Sequence, residues 1–244
     1  MPPLGERGLI ILYQDEFMKN KPLILGHRGY RSRFPENTML SFAKAVEYGA
    51  DGIECDIQKT SDCRYIVFHD DELSRITGHS GYVKDVNFDE LSGLDAGMGE
   101  RIPDINSFLN SLHGHRLRNI ELKVETITHD DFSAIDSAVD HSGFKNDVLI
   151  SSFHHDLLPQ YKEAGYRTGL LFDAEYMQDN KISALVKVFR YKPFSVNLPA
   201  AVFSGNVSLS ARMFLAVIKI LGVKTVYWTV NTGEQFNSVK DNAY

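Results

Sequence analysis

From Leu23 onward, short apolar segments typical of β-strands alternate with segments whose apolar residues recur at helical spacing. This alternation predicts a parallel sheet, because parallel neighbours need a crossover connection, which is usually a helix. The strand and helix order repeats without a long interruption, which favours a (β/α)8 TIM-type barrel over an open doubly wound sheet. The predicted strands are Leu23–Leu25, Gly52–Ile57, Asn119–Val124, Val148–Ser151, Thr168–Phe172, Phe194–Leu198 and Thr225–Val230.

Helical spacing recurs between these strands, and one segment lacks it. The segment Asp70–Arg101 is rich in Gly and acidic residues and has only short apolar patches, so we expect it to be an insertion over one face of the sheet. No Pro/Gly-rich linker marks a boundary, and we interpret residues 1–244 as a single domain with an N-terminal extension over residues 1–21. The predicted helices are Thr38–Tyr48, Asp131–His141, His154–Ala164 and Ser210–Leu221.

Composition and charge restrict the classes of function. The formal net charge is −6 and the charged fraction is 24%, so we expect no basic face for nucleic acid. The two cysteines, Cys55 and Cys63, provide no disulfide framework. No apolar run approaches the roughly 18 residues of a membrane helix, and the N-terminus lacks the features of a secretory signal. These observations favour a cytoplasmic protein with no transmembrane segment, or one whose export signal has been removed.

Acidic residues occupy one face of two predicted strands. In the strand DGIECDI, strand alternation places Glu54 and Asp56 on one face and the apolar residues on the other. In NIELKVE it places Glu121 and Lys123 together in the same way. A solvated edge strand and a plain salt bridge are the alternatives. The three carboxylates would make an all-oxygen site for Mg²⁺, Ca²⁺ or Mn²⁺, and a poor one for Zn²⁺.

Two histidines follow apolar runs, where strands are predicted to end. The run LIL leads to His27 and Arg28, and the run YIVF leads to His69 and Asp70. A histidine pair near a carboxylate cluster suits general acid and base catalysis near neutral pH. A lone histidine is more often structural, and we assign that role to the other seven, which are His79, His113, His115, His129, His141, His154 and His155.

Six motifs occur in one order along the chain: HRGYRSRFPENT, ADGIECDIQKTSD, VFHDDELSRITG, IELK, SSF and YWTVN. Together they resemble the glycerophosphodiester phosphodiesterase family over about Leu23 to Asn231. The resemblance implies a variant (β/α)8 barrel with a small insertion after the second strand. It also implies hydrolysis of a small-molecule glycerophosphodiester to sn-glycerol 3-phosphate and an alcohol, with a divalent metal ion as cofactor.

The resemblance also implies roles for individual residues. It gives His27 and His69 as the acid and base pair, Arg28 and Lys123 as phosphate contacts, and Trp228 as a wall for the alcohol. It gives the metal ligands as Glu54, Asp56 and Glu121. Attack by the neighbouring glycerol hydroxyl, which would form a cyclic phosphate, and direct attack by water both remain open. For Asn37 and Thr38 we expect only that one of them caps the first helix.

The chain departs from the family pattern at both ends. The family continues beyond YWTVN through a helix to an eighth strand, whereas this sequence stops at Tyr244. The strand-like run Gly8–Tyr13, followed by the helix-like Gln14–Asn20, would fill that position in one interpretation and is an extension outside the fold in the other. An unfilled position would leave open strand edges, and a homodimer that pairs them is a further alternative.

Other functions remain open. The same fold would suit a lysophospholipase D or a sphingomyelinase D-like enzyme acting on lipids, or a catalytically silent barrel that acts as a binding protein. No helix with a lipid-facing apolar side and no apolar lid is evident, which favours a small soluble diester. The sequence contains no Gly-x-Ser-x-Gly, no His-Glu-x-x-His and no phosphate-binding glycine loop, which argues against other hydrolase classes.

Overall fold

The structure is a computed structural model that describes residues 9–12, 22–112 and 116–240. The strands are β1 (Leu9–Leu12), β2 (Leu23–His27), β3 (Gly52–Lys59), β4 (Tyr65–Val67), β5 (Leu117–Leu122), β6 (Val148–Ser152), β7 (Arg167–Leu171), β8 (Ser195–Pro199) and β9 (Lys224–Val230). The helices are α1 (Met39–Glu47), α2 (Ser74–Thr77), α3 (Phe88–Gly93), α4 (Ile105–Ser111), α5 (His129–Ser142), α6 (Leu158–Glu163), α7 (Ala174–Asp179), α8 (Lys181–Tyr191), α9 (Ala200–Phe203), α10 (Leu209–Ile220) and α11 (Gly233–Val239). Short 3-10 helices span Val83–Asp85, Lys145–Asp147 and His155–Leu157.

Seven parallel strands within the described part of the chain form the barrel. They pair in the order β2, β3, β5, β6, β7, β8 and β9, with helices between them, and β4 pairs antiparallel with β3. The strands are buried because helices cover the outside of the barrel, which explains their continuous apolar runs. The predicted TIM-type barrel is therefore confirmed.

The seven parallel strands leave a seam between β2 and β9, and β1 occupies it. β1 pairs antiparallel with β2, with Leu9 opposite Gly26, and antiparallel with β9, with Leu12 opposite Val226. Parallel neighbours require a crossover connection, whereas antiparallel neighbours can be joined by a short one. Because few residues separate β1 from β2, the antiparallel direction suits this connection. The run thus lies at the eighth position, in the direction opposite to the other strands. The helix predicted at Gln14–Asn20 lies outside the described residues.

The segment between β4 and α4 has a small apolar core of its own. The buried side chains of this cluster are Ile66, Phe68, Leu73, Val83, Leu91, Ala96 and Ile102. The cluster includes residues of the predicted insertion Asp70–Arg101, which follows the second parallel strand and its antiparallel partner β4. The assignment of the whole chain to one domain remains a prediction.

Two outer helices expose apolar side chains. Ile182, Val186 and Phe189 of α8 are exposed, and so are Met213 and Ile220 of α10. Helical spacing shows that a face is apolar but not whether another element covers it, so these exposed faces were not evident from the sequence. None of the described helices combines the length and the apolarity needed to cross a bilayer.

Candidate active site

Three carboxylates meet inside the barrel. Glu54 and Asp56 project from one face of β3, and Glu121 lies opposite Asp56 in the parallel pairing of β3 with β5. One oxygen of each carboxylate lies within 4.8 Å of the others, and all three residues are buried. The solvated-edge alternative is wrong, because β3 has a parallel neighbour on each side.

The electrostatics of this cluster are those of a cation site. Burial raises the pKa of Glu54 well above its usual value, and the charges of Asp56 and Glu121 raise it further. Burial, together with the charge of Asp56, raises the pKa of Glu121 to about 7. Asp56 Oδ1 is buried and has no hydrogen-bond partner among the described residues. Buried oxygen acceptors without donors fit a hard divalent cation.

Lys123 begins the loop after β5. Its backbone N–H donates to Ile57 O at 3.1 Å, so the residue stays next to β3 although the strand ends at Leu122. Its Nζ lies 3.3 Å from Glu121 Oε1 and 3.4 Å from His69 Nε2. The salt bridge considered from the sequence is therefore present, and it lies beside the carboxylate cluster.

Arg28 lies in a tight turn after β2. Arg28 and Gly29 have φ of 55° and 81°, and a Cβ on Gly29 would lie 2.3 Å from Ser41 Oγ, so only glycine fits against α1 here. The Arg28 backbone N–H donates to Glu54 O at 2.9 Å and also contacts Glu54 Oε2 at 3.1 Å. Its Nε lies 3.3 Å from Asp56 Oδ2. The turn thus brings a guanidinium against the carboxylates.

Both predicted histidines line the same cavity. His27 Nε2 lies 3.7 Å from Glu54 Oε2, and its Nδ1 lies 3.4 Å from Thr229 Oγ1. His69 Nδ1 lies 2.6 Å from Asp70 Oδ1. Burial lowers the pKa of both imidazoles, and the nearby Arg28 charge lowers the pKa of His27 further, whereas the charge of Asp56 opposes the shift at His69. A neutral imidazole can accept a proton from a reacting hydroxyl.

The cavity has a volume of about 220 Å³, and seven of the eight predicted site residues line it. Asp56, the eighth, is completely buried behind them. The indole of Trp228 packs edge-on against Phe153, with ring centroids 5.7 Å apart, and forms part of the wall. The lining residues are His27, Arg28, Glu54, His69, Asn119, Glu121, Lys123, Phe153, Leu171, Asn197, Val226 and Trp228.

Several residues of the site were not predicted from the sequence. Asn37 Nδ2 donates to Asp56 Oδ2 at 3.0 Å, while Thr38 alone caps α1, so the expected capping role accounts for only one of the two. Asn119 precedes Glu121 by two residues on β5 and therefore shares its face, a signal that alternation could have supplied. Asn197 alternates with Val196 and Leu198 on β8 and carries the same signal, and Phe153 ends the motif SSF, to which the sequence analysis gave no role. His113 and His115 lie outside the described residues.

A parallel barrel whose interior holds carboxylates, imidazoles and cations at one end belongs to the class of TIM-barrel enzymes. The model of the glycerophosphoryl diester phosphodiesterase family matches residues 27–242. A glycerophosphodiester phosphodiesterase from Caldanaerobacter subterraneus subsp. tengcongensis is 32% identical over 226 residues, which cover 88% of each chain.

Solved structures are similar over most of the chain. The crystal structure of a glycerophosphodiester phosphodiesterase from Thermotoga maritima is 28% identical, covers 90% of both chains and superposes with a TM-score of 0.74. A phosphodiesterase from Oleispira antarctica, solved in complex with the product sn-glycerol-3-phosphate, shares the fold, with a TM-score of 0.75, 21% identity and coverage of 91% of this chain and 90% of that chain. The chain belongs to the glycerophosphoryl diester phosphodiesterase family, a family of phosphoric diester hydrolases, which confirms the predicted family and enzyme class.

Proposed function

We propose that this protein hydrolyses small glycerophosphodiesters to sn-glycerol 3-phosphate and an alcohol, using a divalent metal ion and two histidines. The observation that carries the proposal is the convergence of three buried carboxylates, two imidazoles and two cationic side chains on one cavity. The names of the relatives support the substrate class, and the Oleispira antarctica protein binds the corresponding product.

Glu54, Asp56 and Glu121 would hold the ion. When bound, a divalent ion such as Mg²⁺, Ca²⁺ or Mn²⁺ would withdraw electron density from a phosphoryl oxygen and offset its negative charge. Arg28 and Lys123 supply fixed positive charge beside the same cavity, which favours the charge that develops on the phosphate as the bond breaks. Asp56 is hydrogen-bonded by Asn37, which fixes the orientation of the carboxylate.

His27 and His69 would transfer the protons. One imidazole accepts the proton of the attacking hydroxyl, and the other donates a proton to the departing alkoxide. His69 is held by Asp70, and His27 lies against Glu54, so each ring has a carboxylate close to it. The proposal covers attack by the glycerol hydroxyl and attack by water alike.

The test measures release of sn-glycerol 3-phosphate from glycerophosphocholine, with lysophosphatidylcholine as the competing lipid substrate. We expect activity with Mg²⁺, Ca²⁺ or Mn²⁺, loss of activity in excess chelator, and recovery when the ion is restored. His27→Ala and His69→Ala should each lower kcat by roughly 10²- to 10⁴-fold. Full activity in chelator, or full activity of either variant, would contradict the proposed chemistry. A chain that turns over neither substrate would support the silent binding protein.

A further inference from the structure

Arg75, on α2 of the insertion, connects two carboxylates at the edge of the site. Its Nη2 donates to Glu36 Oε1 at 2.6 Å and its Nη1 to Glu36 Oε2 at 3.3 Å. The same Nη2 donates to Asp70 Oδ1 at 3.0 Å, and Nε contacts Asp70 Oδ2. One planar guanidinium therefore fixes the relative position of two acidic side chains that are 34 residues apart in the sequence.

Each of these carboxylates in turn contacts a residue of the proposed mechanism. Glu36 Oε1 accepts a hydrogen bond from Arg28 Nη1 at 3.1 Å. Asp70 Oδ1 lies 2.6 Å from His69 Nδ1. The guanidinium of Arg75 also holds the pKa of Asp70 down, at about 2, so this partner of His69 is ionised over the working range of pH.

We propose that Arg75 is a positioning residue, which holds His69 through Asp70 and Arg28 through Glu36 without touching the substrate. The inference rests on the proposed function, because it needs His69 and Arg28 to take part in the reaction. Its physical basis is the fork geometry: a lysine offers a single ammonium point charge and cannot bond both carboxylates in the same plane.

The test compares Arg75→Ala and Arg75→Lys with a matched control, Arg64→Ala, which removes another arginine that pairs with carboxylates. We expect both Arg75 variants to lower kcat roughly 10- to 100-fold, as loss of a positioning partner does, with KM changed much less. The control should retain the kcat of the parent. Unchanged kcat in Arg75→Lys, or an equal loss in Arg64→Ala, would overturn the inference.

A double substitution separates positioning from general destabilisation. If Arg75 holds His69 through Asp70, then adding Arg75→Ala to Asp70→Asn should cost less than Arg75→Ala alone, with the remaining loss coming through Glu36, while Tm values should not follow the same pattern. Additive losses would overturn the inference. His69→Ala separates failure of the proposed function from failure of this inference. Full activity of His69→Ala would contradict the proposed function. Loss of activity in His69→Ala without any loss in Arg75→Ala would contradict only the positioning role of Arg75.

A separate observation concerns charge. Residues 181–233 contain no Asp or Glu, although the chain as a whole carries a net charge of −6. The same stretch contains seven basic residues: Lys181, Lys187, Arg190, Lys192, Arg212, Lys219 and Lys224. The expectation that the chain has no basic face took account of the total charge but not of its distribution.

This stretch includes the two helices with exposed apolar side chains. On α8, Ile182, Val186 and Phe189 recur at helical spacing, and the side chain of Ile182 is 80% exposed. On the neighbouring helix α10, Met213 and Ile220 are 62% and 83% exposed. Each apolar face is bordered by basic residues of the same helix, which is the pattern of helices that lie on a membrane surface.

We propose that the outward faces of α8 and α10 form a docking surface for anionic lipid bilayers. Charge complementarity identifies the occupant: basic residues beside exposed apolar side chains attract anionic headgroups while the apolar side chains enter the interface. A second copy of the chain would bring this basic stretch against its own equivalent, which costs energy through like-charge repulsion. The proposal concerns binding alone and is independent of the hydrolytic activity.

The test is sedimentation of the whole protein with vesicles of phosphatidylcholine alone and with vesicles of phosphatidylcholine and phosphatidylglycerol in equal amounts. We expect binding only to the anionic vesicles, weakened by added salt. Met213→Glu and Val186→Glu should each weaken binding by about tenfold, because each adds a negative charge to the apolar face. Met98→Glu is the matched control, since Met98 is 72% exposed on the insertion, and it should bind like the parent.

Circular dichroism checks that the variants are folded, and glycerophosphocholine turnover by the variants should equal that of the parent. Absence of binding to anionic vesicles would overturn the proposal, as would equal binding by Met213→Glu and the parent. A concentration-dependent increase in mass that Met213→Glu abolishes, without vesicle binding, would assign the surface to a second copy instead.

Discussion

At the scale of single residues, the three buried carboxylates lower the free energy of unfolding when no ion is bound. Burial and the charge of Asp56 raise the pKa of Glu121 to about 7, so its ionised form is disfavoured in the folded protein. In chelator, the free energy of unfolding should therefore fall as the pH rises above the unfolded-state value near 4.5 and through 7. Glu121→Gln should reduce this fall and be about 1 to 3 kcal/mol more stable than the parent at pH 8 in chelator, measured by urea unfolding. Addition of Mg²⁺ should stabilise the parent more than the variant, and an equal response would contradict a metal ligand at this position. Strand alternation was enough to predict that Glu54, Asp56 and Glu121 share a face, because the period of a strand is fixed. It could not predict the contact of Asn37 with Asp56, which depends on how a turn packs against a strand.

At the scale of elements, the start of α5 shows how a local signal was missed. The prediction began the helix at Asp131, whereas it begins at His129, because Thr128 and Asp131 form a reciprocal capping box. The box pairs Thr with Asp, whereas the usual sequence pattern has Glu or Gln at the third helical position. Asp131 also contacts Lys59 Nζ at 2.6 Å, and although burial opposes ionisation, these partners lower its pKa to about 2. A depressed carboxyl pKa stabilises the fold above the unfolded-state value near 4, and this stabilisation is lost as the pH falls towards 2. Asp131→Asn should therefore cost about 1 to 2 kcal/mol at pH 7 in urea unfolding, and the difference from the parent should shrink below pH 4. A difference that is constant between pH 7 and pH 3 would show that the charge of Asp131 is not responsible.

At the scale of the whole molecule, the seam between β2 and β9 determines whether the barrel has exposed edges. The sequence indicated the strands on both sides of the seam and a strand-like run near the N-terminus, but it could not decide whether they pair, since pairing of distant strands depends on the finished barrel. β1 pairs with both sides of the seam, so it covers the two edges through which copies of the chain would otherwise associate. Removal of residues 1–12 should therefore expose both edges and promote self-association. The loss of backbone hydrogen bonds should also lower the free energy of unfolding by about 3 kcal/mol. Removal of residues 1–8 is the control, because it leaves β1 in place. Light scattering at increasing concentration, together with urea unfolding, measures both effects. If the 1–12 deletion stays monomeric with the stability of the control, then β1 does not hold the seam, and the edges of β2 and β9 must be protected in another way.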